Sequence, residues 1–251
     1  MSEANISPYT YSPLLQHSGI QTPYRLLTKE GIKLTEFEGK RVLIIEPKVL
    51  EELAYAAFCD VSFYLRPGHL KQVASILDDP EASENDRFVA TAFLENAIIA
   101  AVGELPTCQD TGTALITATK GAQVWTDFDE KEALCRGIFR AFAERNLRYS
   151  QIAALDMFTE KNTGNNLPAQ IDLAVGKGAA YHFTFIAKGG GSPNKSFLFQ
   201  KNKSLLNEEQ LTEFIKKELF NVGTAACPPY HFAVVIGGTS AEATMKYVKL
   251  A

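Results

Sequence analysis

Gly103-Glu104-Leu105-Pro106-Thr107-Cys108-Gln109-Asp110-Thr111-Gly112-Thr113-Ala114 is a polar segment that lies between two apolar runs. The runs cover residues 98–102 and 114–118, and Pro and Gly between them are typical of a loop held at both ends by packed structure. Within the loop stand a thiol, a carboxamide, a carboxylate and hydroxyls, which are costly to bury without partners. Two interpretations remain open from these residues alone: an active-site loop, or a polar surface turn with an incidental cysteine.

Composition is that of an ordinary globular protein. The chain has 251 residues, of which 46% are hydrophobic, and this is enough for one large domain or two small ones. No repeat, low-complexity linker or charge boundary divides it, so we expect one domain over residues 1–251. The net charge of -4 gives no general attraction for nucleic acid. Neither a signal peptide nor a membrane-length apolar run is evident, and we expect a cytoplasmic protein that does not bind membranes.

The residues before the loop predict helices. Residues 1–45 read as an extended arm that ends in a strand at 41–45. Pro47 then opens a helix that stops at Arg66-Pro67-Gly68, and a second helix covers roughly residues 70–77. Ser83-Glu84-Asn85-Asp86 has the pattern of a capping box and opens a third helix. The N-terminal third is therefore predicted to be mostly helical.

After the loop the pattern changes to strands and helices in alternation. Strands are predicted at 114–119 and 123–126, followed by a helix at 129–145. Alternation at 170–175 and 181–185 around Gly176-Lys177-Gly178 predicts a hairpin, and Asn207 caps a helix that ends near Gly223. A buried strand at 231–236 and a last helix reaching Lys249 follow. The predicted fold class is α/β, with an α+β-like layout of a helical N-terminal third and then mixed β-sheets flanked by helices.

The four cysteines fall into two pairs by their surroundings. Cys59 and Cys135 lie on the apolar stripes of predicted helices and are interpreted as structural. Cys108 and Cys227 lie in loops, and two prolines fix the backbone directly after Cys227. This makes Cys108 and Cys227 a candidate metal pair. Glycine-bearing loops at 188–192, 223–227 and 237–240 are either anion-binding turns or flexible connections, and none matches a nucleotide-binding fingerprint.

Six segments carry a resemblance to a known family. They are Leu105-Pro106-Thr107-Cys108-Gln109-Asp110-Thr111-Gly112-Thr113-Ala114, Asn146-Leu147-Arg148-Tyr149-Ser150-Gln151, Asn165-Asn166-Leu167-Pro168-Ala169-Gln170-Ile171-Asp172, Ala187-Lys188-Gly189-Gly190-Gly191-Ser192, Gly223-Thr224-Ala225-Ala226-Cys227-Pro228-Pro229-Tyr230-His231 and Gly237-Gly238-Thr239-Ser240-Ala241-Glu242. Together they resemble the iron-sulfur-dependent (class I) fumarate hydratases over nearly the whole chain. The resemblance implies the N-terminal, cluster-binding domain of a longer enzyme that hydrates fumarate reversibly to malate.

The resemblance also implies a cofactor and a set of site residues. A 4Fe-4S cluster would be held by three cysteines, of which Cys108 and Cys227 are two, and the third would lie beyond Ala251. Gln109, Asp110, Arg148 and Gly191 would surround a small dicarboxylate, with Asp110 also catalytic. For Arg148 the alternative is a structural salt bridge. The implied partners are a C-terminal domain and a second copy in a homodimer, and residues 1–251 alone are expected not to turn over.

Two other functions stay open. The corresponding alpha part of an L-tartrate dehydratase resembles the same loops and cluster but acts on a different substrate. A non-catalytic scaffold or partner-binding domain would retain the loops without the chemistry. The sequence alone does not separate fumarate from another 2-hydroxy dicarboxylate.

Overall fold

The computed structural model describes residues 24–108, 112–189, 195–223, 229–230, 232–237 and 240–248. Contacts within the chain divide it into two compact units. The large unit comprises Leu26–Ser196 and Lys203–Tyr230. The small unit contains, among the described residues, 24–25, 197–202, 232–237 and 240–248. The prediction of a single domain over the whole chain stays a prediction.

The large unit contains five helices and eight strands among its described residues. In chain order they are β1 (Ile32–Phe37), β2 (Lys40–Ile45), α1 (Pro47–Phe63), α2 (Pro67–Ser75), a 3-10 turn (Ile76–Asp78), α3 (Glu84–Ala100), β3 (Gly112–Gly121), β4 (Val124–Trp125), α4 (Glu130–Glu144), β5 (Ile152–Ala154), β6 (Glu160–Asn162), β7 (Gln170–Gly176), β8 (Tyr181–Gly189), a 3-10 turn (Lys203–Leu205) and α5 (Glu208–Asn221). This is the predicted α/β class: helices α1 to α3 precede the loop, and strands β1 and β2 lie before them, while β3 to β8 follow the loop.

Helix starts follow their capping residues. Ser83 and Asp86 form a reciprocal capping box at α3, in which each side chain accepts a backbone N–H of the other residue. Asp129 accepts two backbone N–H groups at the start of α4, and Asn207 accepts the N–H of Gln210 at α5. Pro47 occupies the first turn of α1. The helix starts predicted at Pro47, Ser83 and Asn207 are confirmed.

The first sheet has the strand order β1-β2-β4. Strands β1 and β2 form an antiparallel hairpin whose two turn residues, Glu38 and Gly39, both have positive φ. The extended arm predicted over residues 1–45 is therefore wrong for 32–37, because this tight turn folds a strand back onto β2, and residues 1–23 lie outside the described residues. Strand β4 pairs in parallel with β2 instead of with the preceding strand β3.

The second sheet has the order β7-β3-β8, with β3 in the centre. Strand β7 runs parallel to β3 and β8 runs antiparallel to it, so Ile116 lies between Ile171 and Phe185. The hairpin predicted for 170–175 and 181–185 is wrong, although both strands exist. The apolar strand β3 inserts between them because it gains a partner on each edge, whereas a direct hairpin would leave β3 at an edge.

The core lies where helices α1 and α4 pack together against the second sheet. Its helical members include Leu50, Ala54, Phe58, Leu134, Ile138 and Phe142, and all of these are buried. The Phe58 ring meets Phe185 of β8 edge to face at 5.8 Å between centroids. Gly137 allows the two helices to approach closely, since a Cβ there would stand 2.2 Å from the Glu51 carbonyl oxygen. This core fixes α1, α4 and β3 relative to one another.

The small unit contains helix α6 (Ala241–Val248), which agrees with the last predicted helix. The buried strand predicted at 231–236 is wrong for residues 232–236, which the structure describes as irregular, while His231 lies outside the described residues. Phe232, Val234 and Ile236 are 48%, 54% and 57% exposed. A β-branched run becomes a strand only beside a partner, and none is paired with it among the described residues.

Across the part of the chain that the structure describes, no helix has the length and apolarity required to span a bilayer.

Candidate active site

The polar loop between α3 and β3 is tied down at its first residues. The N–H of Gly103 donates to the Ala100 carbonyl oxygen at 2.8 Å, and Nη2 of Arg145 donates to the Gly103 carbonyl oxygen, also at 2.8 Å. The Arg145 guanidinium lies over the Phe63 ring at the end of α1, 5.2 Å from its centroid. The loop therefore begins from a position set by α1, α3 and the end of α4.

Thr107 anchors the loop a second time, directly before the cysteine. It is buried, and its N–H and its Oγ1 both donate to the carbonyl oxygen of Ser62 in the last turn of α1, at 2.8 and 3.1 Å. A carbonyl at a helix C-terminus has no partner within the helix, so these two hydrogen bonds satisfy it and hold the loop at the same time. Cys108 thus follows a fixed residue.

Cys108 has both backbone groups bonded and its side chain exposed. Its N–H donates to Oδ1 of Asn96 on α3 at 3.0 Å, and its carbonyl oxygen accepts a hydrogen bond from Nη2 of Arg148. The residue is exposed, so the thiol is open to a ligand or cofactor while the backbone is held. This arrangement favours the active-site interpretation of the loop over an incidental cysteine in a surface turn.

Arg148 reaches the loop from the segment that follows α4. The chain turns at Asn146, which has a φ of 56°, and Leu147 is buried in the core. Burial of Leu147 leaves Arg148 exposed on the side where its guanidinium meets Cys108. The structure therefore brings together Cys108 and Arg148, the two predicted site residues that it describes.

The Arg148 segment is held by the side chain of Asn166, which is 0% exposed. Its Oδ1 accepts the N–H of Gln151 at 3.0 Å, and its Nδ2 donates to the carbonyl oxygens of Gly112 at 2.8 Å and Arg148 at 3.2 Å. Gln151 in turn accepts a hydrogen bond at Oε1 from Oγ1 of Thr113 at 2.9 Å. Three backbone groups from two segments thus meet on one buried amide.

Sequence reasoning missed the individual roles of Asn96, Asn166 and Arg145. Asn166 was visible only as a member of the segment 165–172, and its φ of 55° is a conformation that asparagine tolerates better than most residues. Asn96 stands inside a regular helix and carries no local signal. The remaining predicted site residues, Gln109, Asp110, Gly191 and Cys227, lie outside the described residues.

The two other described cysteines have different surroundings from Cys108. Cys59 on α1 and Cys135 on α4 are half-buried, and burial raises the pKa of each thiol. A raised pKa disfavours the thiolate that binds metals. Their interpretation as structural residues is consistent with this. Within the described ranges, no group of three or more His, Cys, Asp or Glu side chains converges on a metal position.

Comparison with known proteins agrees with the resemblance seen in the motifs. Residues 51–251 match the family described as Fumarate hydratase (Fumerase). The chain is 54% identical over 244 residues to "Fumarate hydratase class I, anaerobic" from Escherichia coli (strain K12), which covers 97% of this chain and 44% of that protein. It is 51% identical over 249 residues to "Fumarate hydratase 1, mitochondrial" from Leishmania major, covering 98% of this chain and 45% of that protein.

A more distant relative has a different name. "Putative L(+)-tartrate dehydratase subunit alpha" from Methanocaldococcus jannaschii is 28% identical over 207 residues, which are 80% of this chain and 71% of that protein. The chain belongs to the fumarate hydratase (fumerase) family, and the predicted resemblance is confirmed. It spans less than half the length of the fumarate hydratases it matches.

Proposed function

We propose that this chain supplies the cluster-binding part of an iron-sulfur-dependent fumarate hydratase, which adds water reversibly to fumarate to give (S)-malate. Relatives at 51% and 54% identity carry fumarate hydratase names, and they support this reaction. The observation that carries the proposal is the pairing of an exposed, backbone-anchored Cys108 with the guanidinium of Arg148. A cluster ligand and a carboxylate-binding cation are the two elements that such a reaction needs at one surface.

The chemistry of the described donors fits a 4Fe-4S cluster in part. Cys108 offers an accessible thiol, and its backbone N–H and carbonyl oxygen are both hydrogen-bonded. Cys227 is the second proposed ligand. A third cysteine ligand and a C-terminal domain are proposed to come from the remainder of a longer enzyme, since the relatives extend well beyond the matched 44%. When bound, the cluster supplies an open iron that acts as a Lewis acid on the substrate.

The chain's own residues would bind and orient the dicarboxylate. Arg148 can hold one carboxylate through two parallel N–H groups, and its backbone carbonyl oxygen is held by the buried amide of Asn166. Gln109 and the backbone N–H of Gly191 are proposed to bind the other polar atoms of the substrate. The carboxylate of Asp110 is proposed to carry the proton that moves at the carbon beside a substrate carboxylate. A homodimer and a cytoplasmic location stay predictions.

The test replaces Arg148 in the full-length enzyme after anaerobic reconstitution. Lysine keeps the charge but cannot bind a carboxylate through two coplanar N–H groups, so Arg148→Lys should lower kcat/KM for fumarate by the equivalent of about 2–4 kcal/mol. Arg136→Lys is the matched control, because Arg136 is exposed and pairs with Glu132 on the surface of α4. Kinetics equal to those of the control would make Arg148 a structural residue.

A second candidate substrate is L-tartrate, which the name of the M. jannaschii relative favours. Fumarate hydration and tartrate dehydration measured side by side on the reconstituted full-length enzyme separate the two reactions. A preference for tartrate in kcat/KM would replace the proposed substrate. A failure to bind iron and to turn over either compound would favour the non-catalytic scaffold.

A further inference from the structure

We propose that Asn166 is a positioning residue, whose buried carboxamide sets the place of Arg148 relative to the Cys108 loop. The inference rests on the proposed function for its kinetic consequence, but its geometric basis is independent of that function. The Asn166 side chain bonds to three backbone groups: the Gln151 N–H and the Gly112 and Arg148 carbonyl oxygens. These bonds use the oxygen once and both hydrogens of the amide.

The Gly112 bond connects Asn166 to a fixed reference. Gly112 begins β3 and pairs with Gly189 of β8. A Cβ at Gly112 would stand 1.9 Å from the Lys188 carbonyl oxygen, so the two strands are already at the closest approach that glycine permits. Gly112 is also the first described residue after Cys108. The Asn166 amide therefore donates one hydrogen bond to β3, the strand that follows the Cys108 loop in the chain.

The other two bonds transmit that position to Arg148. The Arg148 carbonyl oxygen and the Gln151 N–H bracket a segment of irregular backbone at residues 147–151. Within it the Asn162 side chain also donates to the Tyr149 carbonyl oxygen at 2.6 Å, so Asn166 holds the two ends of the segment and Asn162 its middle. The guanidinium of Arg148 then extends from this held backbone to the Cys108 carbonyl oxygen. Loss of the amide would leave three backbone groups without this partner, of which the Gly112 carbonyl is buried and the other two are partly buried, and it would loosen the base of the Arg148 side chain.

Two variants of Asn166 separate the loss of its side-chain hydrogen bonds from any effect of backbone strain at this position. Asn166→Gly removes the amide but tolerates the φ of 55°, so it adds no backbone strain. Asn166→Asp keeps the shape, yet its ionised carboxylate cannot donate to the two carbonyl oxygens. Asn165→Ala is the matched control, because the Asn165 side chain makes a local hydrogen bond, in which its Oδ1 accepts the N–H of Leu167 at 3.1 Å.

The first measurement is a double-mutant cycle in the full-length reconstituted enzyme. Asn166→Gly alone should lower kcat/KM for fumarate about 10- to 100-fold, and the same change in an Arg148→Lys background should cost less than about 3-fold, since residues acting through one another are not additive. Asn165→Ala should change kcat/KM less than about 3-fold, as expected for loss of a local bond. Equal losses in both backgrounds would show a general effect on the fold and would overturn the proposal.

The second measurement needs neither cluster nor turnover. Iodoacetamide alkylation of Cys108, followed by peptide mass spectrometry on the cluster-free protein, reports the conformation of the loop beside Arg148. Both Asn166 variants should alter the Cys108 rate at least about 3-fold relative to Asn165→Ala, because a local opening exposes groups that the native contacts hold. Rates equal to the control would overturn the positioning role.

The two measurements fail in different ways. An inactive wild-type enzyme would contradict the proposed function and leave the alkylation comparison to decide the role of Asn166. An active wild-type enzyme with additive variants would contradict the role of Asn166 and leave the proposed function intact. If Asn166→Gly does not fold, Asn166→Asp completes the same cycle.

Discussion

At the scale of single residues, the cysteines that the structure describes differ in how accessible each thiol is. Cys108 is exposed and its backbone is fixed by Asn96 and Arg148. Cys59 lies on α1 and Cys135 on α4. Both side chains are half-buried, and burial raises the pKa of both thiols. Cys59 and Cys135 therefore serve in packing, and replacing them should leave iron binding unaffected.

Iron content tests this division. Cys108→Ser and Cys227→Ser should each prevent assembly of the cluster, because a hydroxyl does not replace a thiolate ligand. Cys59→Ala and Cys135→Ala should retain wild-type iron after anaerobic reconstitution of the full-length enzyme, and they serve as controls. Equal iron in all four variants would remove Cys108 and Cys227 from the proposed ligand set.

At the scale of secondary-structure elements, Glu130 joins the start of α4 to the second sheet. Its carboxylate accepts hydrogen bonds from Lys120 at the end of β3, from Thr126 and from Tyr181 of β8. Burial by itself raises the pKa of Glu130, but the hydrogen bonds from these three groups outweigh it, and the net pKa lies below 4.5. The pKa of Tyr181 is raised, first by burial and then by the neighbouring carboxylate.

Replacing Glu130 should weaken this junction in a pH-dependent way. Glu130→Gln should lower the free energy of unfolding at pH 7 by about 1–3 kcal/mol, since bonds to a buried charge are lost. A lowered folded-state pKa stabilises the fold above the unfolded-state pKa, near 4.5, and this contribution disappears as the pH falls through the lower folded-state pKa. The difference between wild type and variant should therefore shrink at acid pH.

Urea unfolding at several pH values measures the effect, with Glu132→Gln as control. Glu132 lies in the same helical turn but is exposed and pairs with Arg136, so its loss should cost less than about 0.5 kcal/mol. A pH-independent effect of Glu130→Gln would mean that the carboxylate is not the stabilising species.

The sequence predicted the features that depend on neighbouring residues, such as helix starts. It did not predict the features that depend on residues far apart in the chain, such as strand pairing. The helix starts at Ser83 and Asn207 follow from side chains within three residues of the backbone groups they satisfy. Strand partners depend on residues far away in the chain, and so the pairing of β7 with β8 was wrong while both strands were found. Within the site, motif identity indicated Cys108 and Arg148. The contacts of Asn96 and Asn166 were not predicted, because they arise only when α3, β3 and the segment 146–166 meet.

At the scale of the whole molecule, the chain contains less than half of the length of its fumarate hydratase relatives. Residues 1–251, expressed alone, should therefore hold at most an incomplete cluster, because metal affinity depends on the number of ligands and on their supporting contacts. We expect no fumarate hydration by this polypeptide and rapid loss of iron in air.

The comparison is between the 251-residue polypeptide and the full-length enzyme, reconstituted in parallel and assayed for iron, sulfide and fumarate hydration. Circular dichroism provides the control that both are folded. A stable, stoichiometric cluster with measurable turnover on the shorter polypeptide would falsify this prediction and require a third ligand within residues 1–251.

The central position of β3 also has a consequence for synthesis of the protein. A ribosome completes β3 at residue 121, but its sheet neighbours end at residues 176 and 189. Until residue 176 is added, the nascent chain carries a strand of mostly buried residues with both edges lacking their native partners, and one edge still lacks its partner until residue 189. Such a strand can pair with strands of other chains, so translation of residues 122–189 is the period in which aggregation competes with folding and in which a chaperone would act.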